Sequence, residues 1–367
     1  MKKIIVSVTN DLTTDQRVHR VCATLSDLNY DVLLVGRKLN NSFPLTRTYQ
    51  TKRFQLLFNK GFLFYAEYNI RLFIFLMFKR KNILLANDVD TLLPNFLIGK
   101  LFNIPVVFDS HELFSEVPEL INRPKIKFFW RKLEDLLIPK IKYKYTVCKS
   151  IADYYKSNYN TSFEVIRNVP FRKSINNILK SFVILNKNAI IYQGALNKGR
   201  GLELIINTML YLENATLYIV GDGDLTNELK QLVVELKLTE KVIFLGKITP
   251  DKLPTITSQA AIGLSIEEDL GLNYRFALPN KLFDYIQAKI PVLVSDLPEM
   301  KQVVNQYKIG EIITDRNPKA VAKTIDWMFE HRVTYQKNLE IAANELCWEL
   351  EEKKLAELVN KSYLLDR

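Results

Sequence analysis

Residues 264–298, LSIEEDLGLNYRFALPNKLFDYIQAKIPVLVSDLP, hold a strand end, a loop, a helix and a second strand in one short run. The flanking segments 261–266 and 291–295 are apolar and rich in branched residues, as strands buried on both faces are. Residues 282–288 between them are amphipathic. The run therefore reads as strand, loop, helix, strand, which commits the chain to a parallel α/β sheet. In such sheets ligands sit at the carboxyl ends of strands and at the amino ends of the helices that follow. Here the strand ends in Glu267, Glu268 and Asp269, and the helix opens on Asn280-Lys281. Asp284 shares a face with Lys281 by i, i+3 spacing. A cation for phosphate and a carboxylate for ribose hydroxyls would suit a nucleotide-sugar. A capped, solvated helix start would be written with the same letters.

The same alternation opens the chain. Residues 3–9 form a strand and 16–28 a helix whose buried face is Val18, Val21, Cys22 and Leu25; residues 30–35 form the next strand. No GxGxxG joins them, so NAD is not expected. The connecting loop instead offers Asn10, Asp11 and Asp15, which could meet a sugar, although Asp15 also reads as a helix cap. A strand at 83–86 ends in Asp88-Val-Asp90, a pattern that can hold a divalent metal and a diphosphate, or cap the following helix. The strand at 105–108 ends in Asp109-Ser-His111-Glu112. An imidazole at a strand end can hydrogen-bond substrate, and can equally be a satisfied structural group. Short strands at 145–147 and 164–167 follow. Residues 171–187 are rich in lysine and asparagine without a period, which suits a linker.

Beyond the linker the pattern restarts. A strand at 189–193 leads into Gly194-Ala-Leu-Asn197-Lys-Gly-Arg200-Gly201 and then a helix. A glycine-punctuated loop with cations before a helix is a plausible pyrophosphate cradle, though not a P-loop, because no Gly-Lys-Ser/Thr follows. Residues 215–220 run into Gly221-Asp222-Gly223, and 242–245 into Gly246-Lys247, where backbone groups could meet a base. Helical character in 318–330 and 333–364 closes the chain.

The net charge of +11 and the abundance of Phe and Tyr point to an anionic partner. Residues 52–82 alternate Lys and Arg with large apolar groups, and a second basic set surrounds Phe128-Phe129-Trp130. This matches a peripheral membrane surface, or a solvated face over an aromatic core. Nucleic acid is not expected, since no reader motif is present. No run reaches the roughly 20 uninterrupted apolar residues of a membrane span. The nearest, Gly61–Phe78, is broken by Glu67, Asn69 and Arg71. The apolar start ends too soon, at Asn10-Asp11, for a signal peptide. Cys22, Cys148 and Cys347 are far apart and read as reduced core residues, with no metal site. The expected location is the cytoplasm, peripheral at the inner face of the membrane.

With both halves laid out, the sequence resembles the retaining glycosyltransferases of family 4. The resemblance covers nearly the whole chain and is strongest in YQGALNKGRGLE, LYIVGDGDL, VIFLGKI and LPNKLFDYIQAKIPVLVSD. It implies the α/β GT-B fold, two doubly wound Rossmann-like domains facing a cleft with a C-terminal helix crossing back. The implied domains are 1–170 on the acceptor side, a linker at 171–187, a nucleotide-sugar domain at 188–340, and the returning helix at 341–367. By the resemblance, Arg200 matches the family's loop lysine, Asp284 its second glutamate holding ribose, and His111 the histidine that approaches the transferred sugar. Lys281 joins Arg200 at the diphosphate. Gly194, Asn197, Gly221, Gly246 and Lys247 would complete the donor site, and Asn10, Asp11 and Asp15 the acceptor side. The departures are Ala195 where arginine is usual, and Phe276 where the spacing would place the first glutamate. Glu268 is the expected substitute, displaced by a longer loop.

The implied reaction moves a sugar, with retention, from a nucleotide-diphosphate sugar to a glycan or lipid-linked acceptor in cell-surface polysaccharide synthesis, with no cofactor or catalytic metal. A nucleotide-sugar 2-epimerase, a non-catalytic sugar-nucleotide-binding protein and a metal-dependent transferase using Asp88 and Asp90 remain alternatives.

Overall fold

The computed structural model describes residues 1–365 apart from 14, 41, 43, 118, 119, 121 and 173–184. The expected linker at 171–187 lies mostly outside these described residues. The chain divides into two compact units, Met1–Asn168 with Glu351–Arg367, and Val169–Leu350.

The first unit runs β1 (Lys2–Asp11), α1 (Gln16–Asp27), β2 (Tyr30–Lys38), β3 (Gln50–Gln55), α2 (Gly61–Phe78), β4 (Ile83–Asn87), α3 (Val89–Phe102), β5 (Val106–Ser110), α4 (Pro124–Leu137), β6 (Tyr143–Thr146), α5 (Lys149–Tyr159) and β7 (Glu164–Val165). Its strands form one parallel sheet in the order β3-β2-β1-β4-β5-β6-β7. Winding reverses between β1 and β4, the place where helices leave for opposite faces and strand ends are open to a ligand. Helix α1 begins where Asp15 Oδ1 accepts from Val18 N at 3.0 Å, and it buries Val18, Val21, Cys22 and Leu25. In α2 the buried residues Phe64, Tyr68, Leu72 and Leu76 recur every four, packing on Leu33, Val35 and Leu84 of the sheet. Tyr68 Oη donates to Val8 O at 2.6 Å, which ties the helix to β1.

The second unit runs β8 (Ala189–Gln193), α6 (Leu202–Thr208), β9 (Thr216–Val220), α7 (Thr226–Glu235), β10 (Val242–Gly246), α8 (Leu253–Thr257), β11 (Ile262–Ser265), α9 (Leu272–Arg275), α10 (Asn280–Gln287), β12 (Val292–Ser295), α11 (Pro298–Tyr307), β13 (Gly310–Ile313), α12 (Pro318–His331) and α13 (Gln336–Glu345). The sheet is again parallel, in the order β10-β9-β8-β11-β12-β13, with its switch between β8 and β11. Alternate residues feed two cores. Ile191, Tyr218, Val292 and Val294 face α10 and α11; Ile190, Tyr192, Leu217 and Leu293 face α6, α7 and α12. Burial on both faces is why these strands read as unbroken apolar runs.

Two edge strands, β3 and β13, depart from the sequence reading, which placed no strand at either. The returning helix also differs. α13 ends at Glu345, and α14 (Trp348–Leu365) starts at Trp348 instead of 341. From Glu351 onward α14 belongs to the first unit.

Candidate functional site

The switch point of the second unit gathers three charged side chains. Glu267, just past β11, is fully buried, and its Oε1 lies 2.8 Å from Lys281 Nζ and 3.7 Å from an Arg200 guanidinium nitrogen. Lys281 opens α10 and is only 8% exposed; Arg200 comes from the glycine loop after β8. Burial alone would raise the Glu267 carboxyl, but the Lys281 ammonium, with a smaller contribution from Arg200, holds it below the usual range. The other Glu267 oxygen accepts from Ser265 Oγ at 2.9 Å. Lys281 Nζ also stands 3.9 Å from the centre of the Tyr192 ring, a cation–π contact. Glu267 Oε1 and Lys281 Nζ are thus each other's partners, while Arg200 Nε is buried without a hydrogen-bond partner. Two cations carry more donors than the one carboxylate beside them can accept, so this cluster at a strand end is where an anionic ligand would complete the set.

The loops around the cluster are held by backbone bonds. Gly194 N donates to Val220 O at 3.0 Å, and Gly221 N to Gly246 O at 2.8 Å. At Gly201 φ is +73°, and a Cβ there would overlap the Ile266 carbonyl. The glycine loop can thus lie directly against the chain leading into Glu267. Arg316, preceding α12, donates to the Ile266 and Glu267 carbonyls and to Ser295 Oγ. It fixes the segment from which Glu267 projects.

The first unit builds its own polar cluster at the ends of β4 and β5. Asp109 is fully buried and takes two hydrogen bonds from Arg17, at 3.0 and 2.7 Å, and one from His111 Nε2 at 2.9 Å. Burial would raise this carboxyl; Arg17 and then His111 instead hold it well below the usual carboxylate range. His111 Nδ1 lies 3.3 Å from Asp88, whose other oxygen accepts from His111 N at 2.9 Å. Burial opposes the imidazolium, but Asp109 and Asp88 outweigh it and raise the group to about 9. Both ring nitrogens are therefore engaged by carboxylates, and at neutral pH the ring is a fixed positive charge. Asp88 adopts φ +57°, ψ 168°, a region almost reserved for glycine. Asp90 is turned inward. It accepts from Thr9 Oγ1 at 2.6 Å, and burial, reinforced by the nearby Asp88 charge, raises its carboxyl to about 8. Asp88 and Asp90 thus have separate partners, which does not favour the metal-dependent alternative. Asn10, Asp11 and Asp15 close a local turn: Asn10 Nδ2 donates to Asp15 at 3.0 Å, and Asp11 accepts from Thr13 N at 3.2 Å.

Residues 174–345 match the family of glycosyl transferases group 1. The chain is 27% identical over 185 residues to the O-antigen chain mannosyltransferase RfbU of Salmonella typhimurium, covering 48% of this chain and 49% of that protein. It spans about half the length of the curated relatives it matches. Among solved structures, sucrose-phosphate synthase from Thermosynechococcus elongatus superimposes with a TM-score of 0.81 at 15% identity, covering all of both chains. Anabaena HepE, solved in complex with UDP, gives 0.71 at 14% identity over 98% of this chain and 100% of that one. These likenesses give the fold, which is GT-B.

Within the matched residues, the carboxylate beside Arg200 and Lys281 is Glu267, the neighbour of the Glu268 to which the resemblance gave the donor sugar. Glu268 contributes its backbone, donating from N to Gly199 O at 2.8 Å. Strand parity carries the signal: Gly263, Ser265 and Glu267 share one side of the β11 line, and Glu268 falls on the other. Asp284 accepts from Gln193 Nε2 at 3.0 Å, and Gln193 Oε1 accepts from Thr257. Asn197 Oδ1 accepts from Asp224 N at 3.2 Å, joining the first two glycine loops. Lys247, after Gly246, is largely exposed and lies 3.5 Å from Asp222. Arg316 had no counterpart in the sequence reading.

Proposed function

We propose that the chain transfers a sugar from a nucleoside diphosphate sugar to a glycan or lipid-linked acceptor, with retention at the anomeric carbon, in the building of a cell-surface polysaccharide. The observation that carries this reading is the Arg200–Glu267–Lys281 cluster, two cations on one buried carboxylate with Arg200 Nε lacking a hydrogen-bond partner, at the switch point of the unit whose residues 174–345 match the group 1 glycosyl transferases. A relative acts on an O-antigen chain, and a structure of the same fold was solved with UDP.

In this reading Lys281 and Arg200 take the diphosphate. As the glycosidic bond breaks, negative charge gathers on the departing phosphate oxygen, and two cations already in place stabilise it without reorganising. Glu267 holds Lys281 in place before the donor arrives. Asp284 takes the ribose hydroxyls. The positive charge is supplied by side chains, so the reaction runs without a resident metal. His111 serves the acceptor side of the first unit as a fixed charge, not as a proton acceptor.

The test is a thermal-shift and calorimetric panel of nucleoside diphosphates and their sugars, since a ligand raises stability by RT ln(1 + [L]/Kd). A donor that stabilises the wild type and fails to stabilise Arg200→Ala supports the site. Equal stabilisation of both proteins would remove Arg200 from it. Turnover is then followed with EDTA and with donor alone; an epimerised sugar formed without acceptor would replace transfer with epimerisation.

A further inference from the structure

Helix α2 is apolar apart from Glu67, Asn69 and Arg71, yet only one of its faces is used by the core. Phe64, Tyr68, Leu72 and Leu76 are buried, while Phe62, Leu63, Ile70, Ile74 and Phe78 are each more than half exposed. A surface helix normally carries polar residues along its outer face, and one whose exposed side is mostly large apolar residues marks an interaction surface. The apolar surface continues onto neighbouring elements. The Phe62 ring lies 6.2 Å from that of Phe129 on α4, beside the exposed Phe128. Lys81 Nζ stands 4.3 Å from the Phe102 ring at the end of α3.

The loop before the helix is held in place. Glu67, the one acidic residue of α2, accepts from the amides of Leu57 and Phe58 at 3.0 to 3.1 Å. An 80% exposed leucine is therefore presented by a fixed loop. The same carboxylate pairs with Arg71 at 2.7 Å, so the outer face carries no uncompensated negative charge.

We propose that this face is a docking surface for an anionic lipid bilayer, on which α2 lies without crossing. By length and composition α2 could span a membrane, but its buried stripe and the Tyr68 hydrogen bonds to Val8 O and Val35 O commit it to the sheet. Charge selects the occupant. Lys60 precedes the helix, and Lys79, Arg80 and Lys81 follow it. Two copies meeting through this face would set like charges together at the ends in either orientation. A leaflet of anionic headgroups complements both ends while its acyl boundary takes the apolar middle. The inference is independent of the donor reading, because vesicle binding is measured with no donor present.

The experiment is flotation of the full chain with phosphatidylcholine vesicles, with and without phosphatidylglycerol. Wild-type protein is expected to float with the anionic vesicles and to be released by salt. Ile70→Ser with Ile74→Ser, and separately Lys79→Glu with Arg80→Glu, are each expected to weaken binding about tenfold or more. Both pairs lie on the exposed surface, so their thermal transitions should match the wild type. Failure of the wild type to float with anionic vesicles would overturn the proposal, as would floating by the Ile70/Ile74 variant equal to that of wild type. A wild-type dimer in sedimentation that the same variant converts to monomer would assign the face to a second copy instead.

Discussion

Glu267 is a carboxylate with no water to fall back on. It is fully buried, and Lys281 is its nearest cation. Removing one partner of a buried pair strands the other, at a cost of about 3–5 kcal/mol. Lys281→Met should therefore destabilise the second unit by that order in urea titration. Adding Glu267→Gln should recover part of the loss, because the stranded charge is gone. A double variant no more stable than the single would show that packing against Tyr192, not charge, is what Lys281 contributes.

His111 gives the first unit a titration of the opposite sense from an acid. Its pKa rises from 6.5 to about 9 on folding, so its stabilisation is complete below pH 6.5 and is lost as pH climbs through 9. The size is on the order of 3 kcal/mol. Wild-type stability should fall over that window, and His111→Gln should flatten the fall. The sequence made His111 a candidate because it ends a strand, but not that Asp88 and Asp109 would occupy both its nitrogens. Asp109 stands two residues back in the same strand end, but Asp88 comes from a different strand end, and no local spacing announces it. Glu268 matches the motif order that the resemblance implies, whereas strand parity puts Glu267 on the side of Ser265 and Gly263.

At the scale of elements, what could be read depended on burial. Strands β8, β9, β11 and β12 are buried on both sides and stand out as apolar runs. β3, QTKRFQ, sits at the sheet edge with one buried residue, and its composition is that of a loop. β13 has four residues at the same kind of position, the edge of the second sheet. The break between α13 and α14 was equally hidden, since apolar spacing continues through Leu346, Cys347 and Trp348, all buried. Element packing also makes Gly201 irreplaceable. Alanine there meets both a positive φ and the Ile266 carbonyl, so the glycine loop must lift from the chain that carries Glu267. Gly201→Ala is expected to cost about 1–3 kcal/mol and to weaken donor binding together with stability. A variant that loses stability while keeping full donor affinity would show the two loops to be uncoupled.

Across the whole molecule, the first unit is not continuous in sequence. Leu355, Leu358 and Val359 of α14 are buried, Glu351 pairs with Arg167 at 3.3 Å, and Tyr30 Oη donates to Asn360 at 2.6 Å. Deleting residues 351–367 should remove about 5 kcal/mol or more from the first unit, on the burial of three aliphatic side chains alone. In calorimetry the second unit should keep its transition while the first melts earlier; a truncated chain with both transitions unmoved would contradict the assignment. The same arrangement dictates an order of events on the ribosome. Residues 169–350 are complete, contiguous and free to fold while the last helix is still being made. Residues 1–168, although synthesised before 169–350, must wait for α14 to cover their exposed apolar ground, so the earlier-made unit completes its core after the later-made one.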